Sequence, residues 1–205
     1  MPSNRAKQRP YHHGNLRETL IESALGLIAE AGPGGFTLRE VARRARVSHN
    51  APYRHFHDRE DLVAALAAQG FDRLTHSMTE ALAPGQTPLE RLRLSGRGYV
   101  AFALRWPQHF AVMFDTPLDH AKYPQLAEAG KRAFGVLLGL VRECQEAGVL
   151  KEGIEAEQFA LLAWSQVHGI AKLAIGGTFP YSTKKEMLEF CDFATGSLLT
   201  GIERR

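Results

Sequence analysis

The 205 residues, 44% hydrophobic and 23% charged, have the balance of a globular chain of one large or two small domains, which excludes a disordered or fibrous protein. No apolar run approaches the roughly 20 residues of a membrane span, the polar Met1–Pro10 stretch lacks the apolar core of a secretory signal, and Cys144 and Cys191 are too far apart for a disulfide framework or cysteine zinc site, so a soluble cytoplasmic protein is expected. The net charge of +3 is unevenly spread: residues 1–60 hold ten Lys/Arg against six acids and five of the nine His, leaving a net −1 for the other 145 residues, so a polyanion is expected at one end only.

In chain order, every strongly periodic segment has the helical period. Leu16, Leu20, Ala24, Leu27, Ile28 and Ala31 form one apolar stripe, and Gly32-Pro33-Gly34-Gly35 ends that helix in a turn. Thr37, with Glu40 three residues on, has capping-box spacing and opens a short helix to about Ala45 that buries Leu38, Val41 and Ala42. Ser48 is a second N-cap, opening a short segment to Phe56, and Asp58 caps a longer helix to about Leu82. Further helices are expected at about 89–106, 107–114, 125–147, 155–175 and 183–202. They are divided by Ala83–Pro88, a loop over Asp115–Pro124, Gly148 and Gly153, and the Gly176–Pro180 break. No stretch alternates with period two for the length of a strand. The expected fold is all-α, about nine helices, with a domain seam near residues 58–70.

Residues 37–57 then read as two short helices around a tight turn, the helix-turn-helix arrangement in which the second element lies in the DNA major groove. Val41 and Ala42 permit close packing, and Val47 fills the space under the turn. His49, Asn50, Pro52, Tyr53, Arg54 and His55 follow Ser48 as an exposed set whose polar groups can reach base edges or phosphates. An ordinary αα-hairpin with solvated charges satisfies the same spacing.

Three runs carry a more specific signal: Tyr11-His12-His13-Gly14-Asn15-Leu16-Arg17, Phe36-Thr37-Leu38-Arg39-Glu40-Val41-Ala42 and Val47-Ser48-His49-Asn50-Ala51-Pro52-Tyr53-Arg54-His55-Phe56. Continued through Asp58-Arg59-Glu60-Asp61-Leu62, they resemble the DNA-binding domain of TetR-family transcriptional regulators over about residues 11–66. Trp164-Ser165-Gln166-Val167-His168-Gly169 resembles the Trp–His–Gly signature of one subgroup of that family's C-terminal domains. The resemblance implies that Thr37 caps its helix and touches a phosphate, that Tyr53 and His55 contact the DNA backbone while Phe56 packs inward, and that Arg59 sits over a phosphate. His49 and Asn50 are the base-edge candidates, Asn matching the N6/N7 edge of adenine. Pro52, in the first turn if the helix begins at Ser48, sets the angle at which the segment approaches the groove. Arg5, Lys7, Arg9, His12 and His13 form either an arm reaching a phosphate or minor groove, or a solubilising tail.

The resulting domains are a basic arm (1–15), a three-helix DNA-binding domain (16–60) and a helical bundle for ligand binding and dimerisation (61–205). A single helix-turn-helix reads few base pairs, so a homodimer on a palindromic operator is expected. The segments 155–175 and 183–202, apolar on more than one side, are its candidate interface, unless one large core uses all of that surface. In the family the matching helices form a four-helix interface. Tyr99, Phe102, Trp106, Phe110, Met113, Phe114, Phe134, Trp164 and His168 are the candidate lining of a ligand cavity, though core packing accounts for any one of them. His168, on the same helical face as Trp164, is either a polar group of that pocket or a hydrogen-bonded core residue.

By resemblance, the protein is a repressor that binds double-stranded operator DNA and is released by a small hydrophobic effector. The alternative is an α-helical small-molecule-binding protein or enzyme that does not bind DNA. No nucleophile–base motif, catalytic carboxylate pair or P-loop is present, and the His12–His13 pair has no third ligand nearby. No catalysis, metal, cofactor or membrane partner is therefore expected. The place of action is the cytoplasm, on the nucleoid.

Overall fold

Eight α-helices, one turn of 3-10 helix and no β-strand account for the regular structure of the described residues, 16–151 and 153–202, in the computed structural model. The all-α expectation is borne out. The proposed arm, with Arg5, Lys7, Arg9, His12 and His13, lies outside the described residues. The chain divides into two units after Leu62. Among the described residues no helix is long and apolar enough to cross a membrane.

The first unit opens with α1 (Leu16–Ala31), which buries Leu20, Ile21, Ala24 and Ile28. Gly32 ends it in the left-handed region (φ 76°), its N–H bonded to the Ile28 carbonyl at 2.9 Å. The expected capping box then starts α2 (Leu38–Arg44): Thr37 Oγ1 accepts from the Glu40 N–H at 3.3 Å, and Glu40 Oε2 accepts from the Thr37 N–H at 2.8 Å. Val41 and Ala42 are fully buried. Arg44 crosses to α1 and donates to both Glu30 carboxylate oxygens at 2.8 and 2.9 Å, tying the two helices together.

The next segment differs from the expected helix at 48–56. The chain makes a turn and then only the 3-10 helix Pro52–Arg54. Most of its bonds span three residues: Ala51 N–H to Ser48 O at 2.9 Å, Arg54 N–H to Ala51 O at 3.3 Å, and His55 N–H to Pro52 O at 2.9 Å; a single four-residue bond, Phe56 N–H to Pro52 O at 3.0 Å, closes it. Pro52 has no N–H to return to Ser48, so the four-residue ladder of an α-helix cannot form there. The regular helices of this unit are thus α1, α2 and the start of α3 (Arg59–Thr79), which Asp58 caps by accepting from the Asp61 N–H at 2.8 Å.

The second unit holds the rest of α3 with α4 (Pro88–Arg105), α5 (Pro107–Asp115), α6 (Pro124–Glu146), α7 (Ala156–Ile175) and α8 (Lys184–Ile202). Proline opens α4, α5 and α6, where the missing N–H costs no intrahelical bond. Thr87–Glu90 and Thr183–Glu186 repeat the capping box at α4 and before α8. Helix α4 is the centre of the bundle and touches α5, α6, α7 and α8. It meets α3 at Gly98, whose carbonyl accepts from Ser77 Oγ at 2.9 Å. A Cβ there would lie 2.1 Å from the Ser77 carbonyl oxygen, so only glycine permits this crossing. Val100, Phe102, Phe110, Val112, Leu126 and Val141 are fully buried, and both cysteines are buried free thiols.

Candidate functional site

The segment Ser48–His55 is held outward by its own apolar residues. Ala51, Pro52 and Phe56 are buried, whereas Ser48, His49, Asn50, Tyr53, Arg54 and His55 are exposed. The inward Phe56 ring packs under the Arg17 guanidinium, 5.3 Å from its centroid. The preceding turn sets the direction of the chain. Arg46 N–H bonds to Arg43 O at 3.2 Å and Val47 N–H to Ala42 O at 3.0 Å, a Schellman closure of α2. Arg46 itself stands at φ 57°, where glycine is the usual occupant. Arg39, Arg43 and Arg46 are also exposed, which gives this end of the chain a cationic surface.

Three expected contacts look different in three dimensions. Thr37 is exposed, but its hydroxyl already donates to Glu40 Oε2 at 2.8 Å. Glu40 is held below the usual carboxylate range by its side-chain and backbone bonds from Thr37. Pro52 is buried under the segment, so it shapes the turn and presents no surface to a partner. Arg59, expected over a phosphate, here donates its guanidinium to the Pro33 carbonyl and lies 4.8 Å over the Phe36 ring. The Pro33 carbonyl lies beside an aromatic face, and a half-buried cation is drawn to both.

Within the second unit lies a cavity of about 610 Å³, inside the usual range for small-molecule sites. Of the nine residues expected to line it, Tyr99, Met113, Phe114, Phe134 and Trp164 do so. Phe102, Trp106, Phe110 and His168 do not. Phe102 and Phe110 are consumed by the core, and Trp106 lies between the Arg73 and Arg105 guanidiniums at 5.3 and 4.4 Å. His168 stacks on Phe110, with centroids 5.2 Å apart, and stands behind Tyr99.

Trp164, Tyr99 and His168 form a closed relay. Trp164 Nε1–H donates to the Tyr99 hydroxyl at 3.2 Å, and that hydroxyl is 2.8 Å from His168 Nδ1. Burial, with Lys172 nearby, pushes the His168 pKa down and favours the neutral ring, whose Nδ1, in the tautomer that leaves it unprotonated, accepts a hydrogen bond from the Tyr99 hydroxyl. Burial also pushes the Tyr99 pKa up. The hydroxyl is therefore satisfied within the protein, and the wall keeps an apolar character there.

Most of the other lining residues went unmarked in the sequence, among them the charged Arg93 and Lys131, His120, and two polar residues of α4 and α7 with a buried oxygen each. Ser95 is fully buried in mid-α4 with no partner for its hydroxyl. Gln166 donates through Nε2 to the Ala194 carbonyl at 3.0 Å while its Oε1 is buried without a partner. For Ser95 the only available signal was a small polar residue on an otherwise apolar face of α4, and Gln166 carried none. Among the described residues, no group of three His, Cys, Asp or Glu could hold a metal ion.

Comparison with known proteins accounts for both units. Residues 20–66 match the family profile described as bacterial regulatory proteins, tetR family, and residues 92–193 match that of the tetracyclin repressor-like C-terminal domain. A protein of unknown function from Rhodococcus sp. RHA1 is 34% identical, with TM-score 0.82, over 96% of this chain and 100% of its own. A transcriptional regulator FadR from Bacillus subtilis, solved in complex with stearoyl-CoA, superposes at TM-score 0.76 and 18% identity over 91% of this chain and 99% of that one. A curated HTH-type transcriptional repressor of Mycobacterium tuberculosis is 29% identical over 83 residues, 39% of this chain. The chain spans 44% of that relative's length.

Proposed function

Because this chain belongs to the TetR family of bacterial transcriptional regulators, we propose that it represses transcription by binding a palindromic operator as a homodimer, and that a small hydrophobic effector in the cavity releases it. It acts by binding, not by catalysis. His49 and Asn50 read base edges, and Ser48, Tyr53 and His55 contact the DNA backbone. One observation carries this reading: a short polar segment projects from buried Ala51, Pro52 and Phe56, beside the exposed Arg39, Arg43 and Arg46. The mycobacterial relative supports the repressor assignment, and the acyl ligand of the Bacillus neighbour supports an apolar effector.

Dimerisation draws support from α7 and α8. Leu161, Leu162, Leu173, Ile175 and Phe193 remain 38–69% exposed in the single chain, more apolar side chain than two bundle helices usually leave in water. Effector and operator then oppose one another by a coupling of typically about 1–3 kcal/mol.

The direct experiment is selection of bound sequences from random duplex DNA by the full chain, followed by affinity against salt. A two-fold symmetric motif and a slope of log K on log salt of about −0.9 per phosphate neutralised are expected. Asn50→Ala relaxes base preference at one position of each half-site. A flat slope with no enriched motif overturns the proposal.

A further inference from the structure

We propose that the effector is an anionic amphiphile, its apolar body in the cavity and its acidic group at the rim against Lys131; this rests on the ligand-responsive reading above. No Asp or Glu lines the cavity, whereas Arg93, Lys131 and His120 do. Elsewhere in this unit several cations meet a carboxylate: Arg91 with Glu143 at 3.4 Å, Arg132 with Asp72 at 2.7 Å, Lys185 with Glu189 at 3.7 Å, Arg97 with Asp192 and Lys172 with Asp115, while Arg73 and Arg105 lie over the Trp106 ring. Among the described residues Lys131 has no such carboxylate. Arg93 has Glu90 nearby, but that carboxylate is committed to the Thr87 capping box.

Position explains the difference between neighbours. Ala127, Gly130, Lys131 and Phe134 all line the cavity and recur at i, i+3, i+4 and i+7, so they form one stripe of α6. Arg132, one residue on, falls off that stripe and reaches Asp72. Lys131 is exposed although it belongs to the cavity stripe. Its aliphatic stem thus follows the apolar wall while its ammonium stays at the water edge. A neutral ligand gains the apolar interior and at most the Ser95 hydroxyl and Gln166 Oε1 within it, nothing at the cationic rim, and a cationic one meets like charge with no lining carboxylate to offset it. An anion with an apolar chain matches both parts. A carboxylate and a phosphate share this chemistry.

The test uses the full chain and four probes of equal chain length, each below its micelle concentration: dodecanoate, dodecyl phosphate, dodecan-1-ol and dodecyltrimethylammonium. Binding is read by titration calorimetry and by the fluorescence of Trp164 on the wall. At least one anion binds roughly three- to tenfold more tightly than the alcohol, and the ammonium binds weakest. The advantage shrinks as salt rises. Lys131→Gln reduces anion affinity to that of the alcohol and leaves the alcohol unchanged, and Lys131→Arg restores the preference. Whether the carboxylate or the phosphate is preferred identifies the source of the charge and supports the assignment either way. Equal or tighter binding of the alcohol, an unchanged anion preference in Lys131→Gln, or no binding by any probe overturns it. DNA release is read separately: anions that bind as described but leave DNA affinity unchanged overturn the regulatory reading and leave the ligand class standing.

Discussion

Because the Arg59 guanidinium is bonded to the Pro33 carbonyl and stacked on Phe36, its removal acts on the fold before it acts on DNA. Arg59→Ala loses a charge-assisted hydrogen bond and a cation–π contact, and a destabilisation of about 2–3 kcal/mol in urea unfolding is expected. The salt slope of DNA binding stays as in the unaltered protein; a slope flatter by about 1 with unchanged stability would return Arg59 to a phosphate. A second residue-scale prediction concerns His109. It is buried, 2.9 Å from Gln69 Oε1, and its pKa is pushed down to about 4 by burial and then by Arg73. The folded state thus binds fewer protons than the unfolded chain below the ordinary histidine value of 6.5, so stability is complete above that pH and declines as pH falls towards 4. The loss attributable to this group reaches about 3 kcal/mol. His168, also shifted down by burial, adds to the same limb. Calorimetric unfolding of His109→Gln at stepped pH should show a shallower decline over this interval than the parent, and an identical decline removes the assignment.

At the scale of elements, three helices end with the same hydrogen-bond closure. Gly148 (φ 66°) closes α6 and Gly177 (φ 66°) closes α7, but Arg46 (φ 57°) closes α2. A side chain in the left-handed region costs on the order of 1 kcal/mol, so Arg46→Gly is expected to stabilise the first unit by about 0.5–1 kcal/mol. Native-state hydrogen exchange of α2 amides checks this; unchanged or faster exchange contradicts it. These helix ends differ in how far the sequence makes them legible. Gly148 and Gly176-Gly177 announce their helix ends by residue type, whereas an arginine at such a position announces nothing. Thr37–Glu40 was readable as a capping box, and Thr87–Glu90 and Thr183–Glu186 carry the same spacing. The segment after Ser48 misled because its neighbours favour a helix while Pro52 removes the one donor an α-helical first turn needs beneath it. Pocket and core were inseparable for a different reason: Phe102 and Phe134 are equally apolar in sequence, and only the packing of α4 against its four neighbours decides which one faces a void.

For the whole molecule the decisive quantity is how many DNA-reading segments act together. On the proposed reading, a single Ser48–His55 segment would reach few phosphates and few base edges, so its own affinity would be low. Two segments joined in one dimer convert the second contact into an intramolecular event, which raises affinity by about 10²–10⁴ without any new kind of contact. The exposed Leu162 of α7 and Phe193 of α8 are the places to interrupt that pairing, because neither serves the buried core of its own chain. In the double variant Leu162→Asp, Phe193→Asp, sedimentation at micromolar concentration should give a monomer where the parent gives a dimer, and helical circular dichroism should be retained. Its operator affinity should fall by at least about 10²-fold and its salt slope by about half, since half the phosphates are then neutralised. A folded variant that still sediments as a dimer places the interface elsewhere. A monomer that keeps full affinity and the full slope shows that one segment suffices, which the small number of groups exposed between Ser48 and His55 argues against.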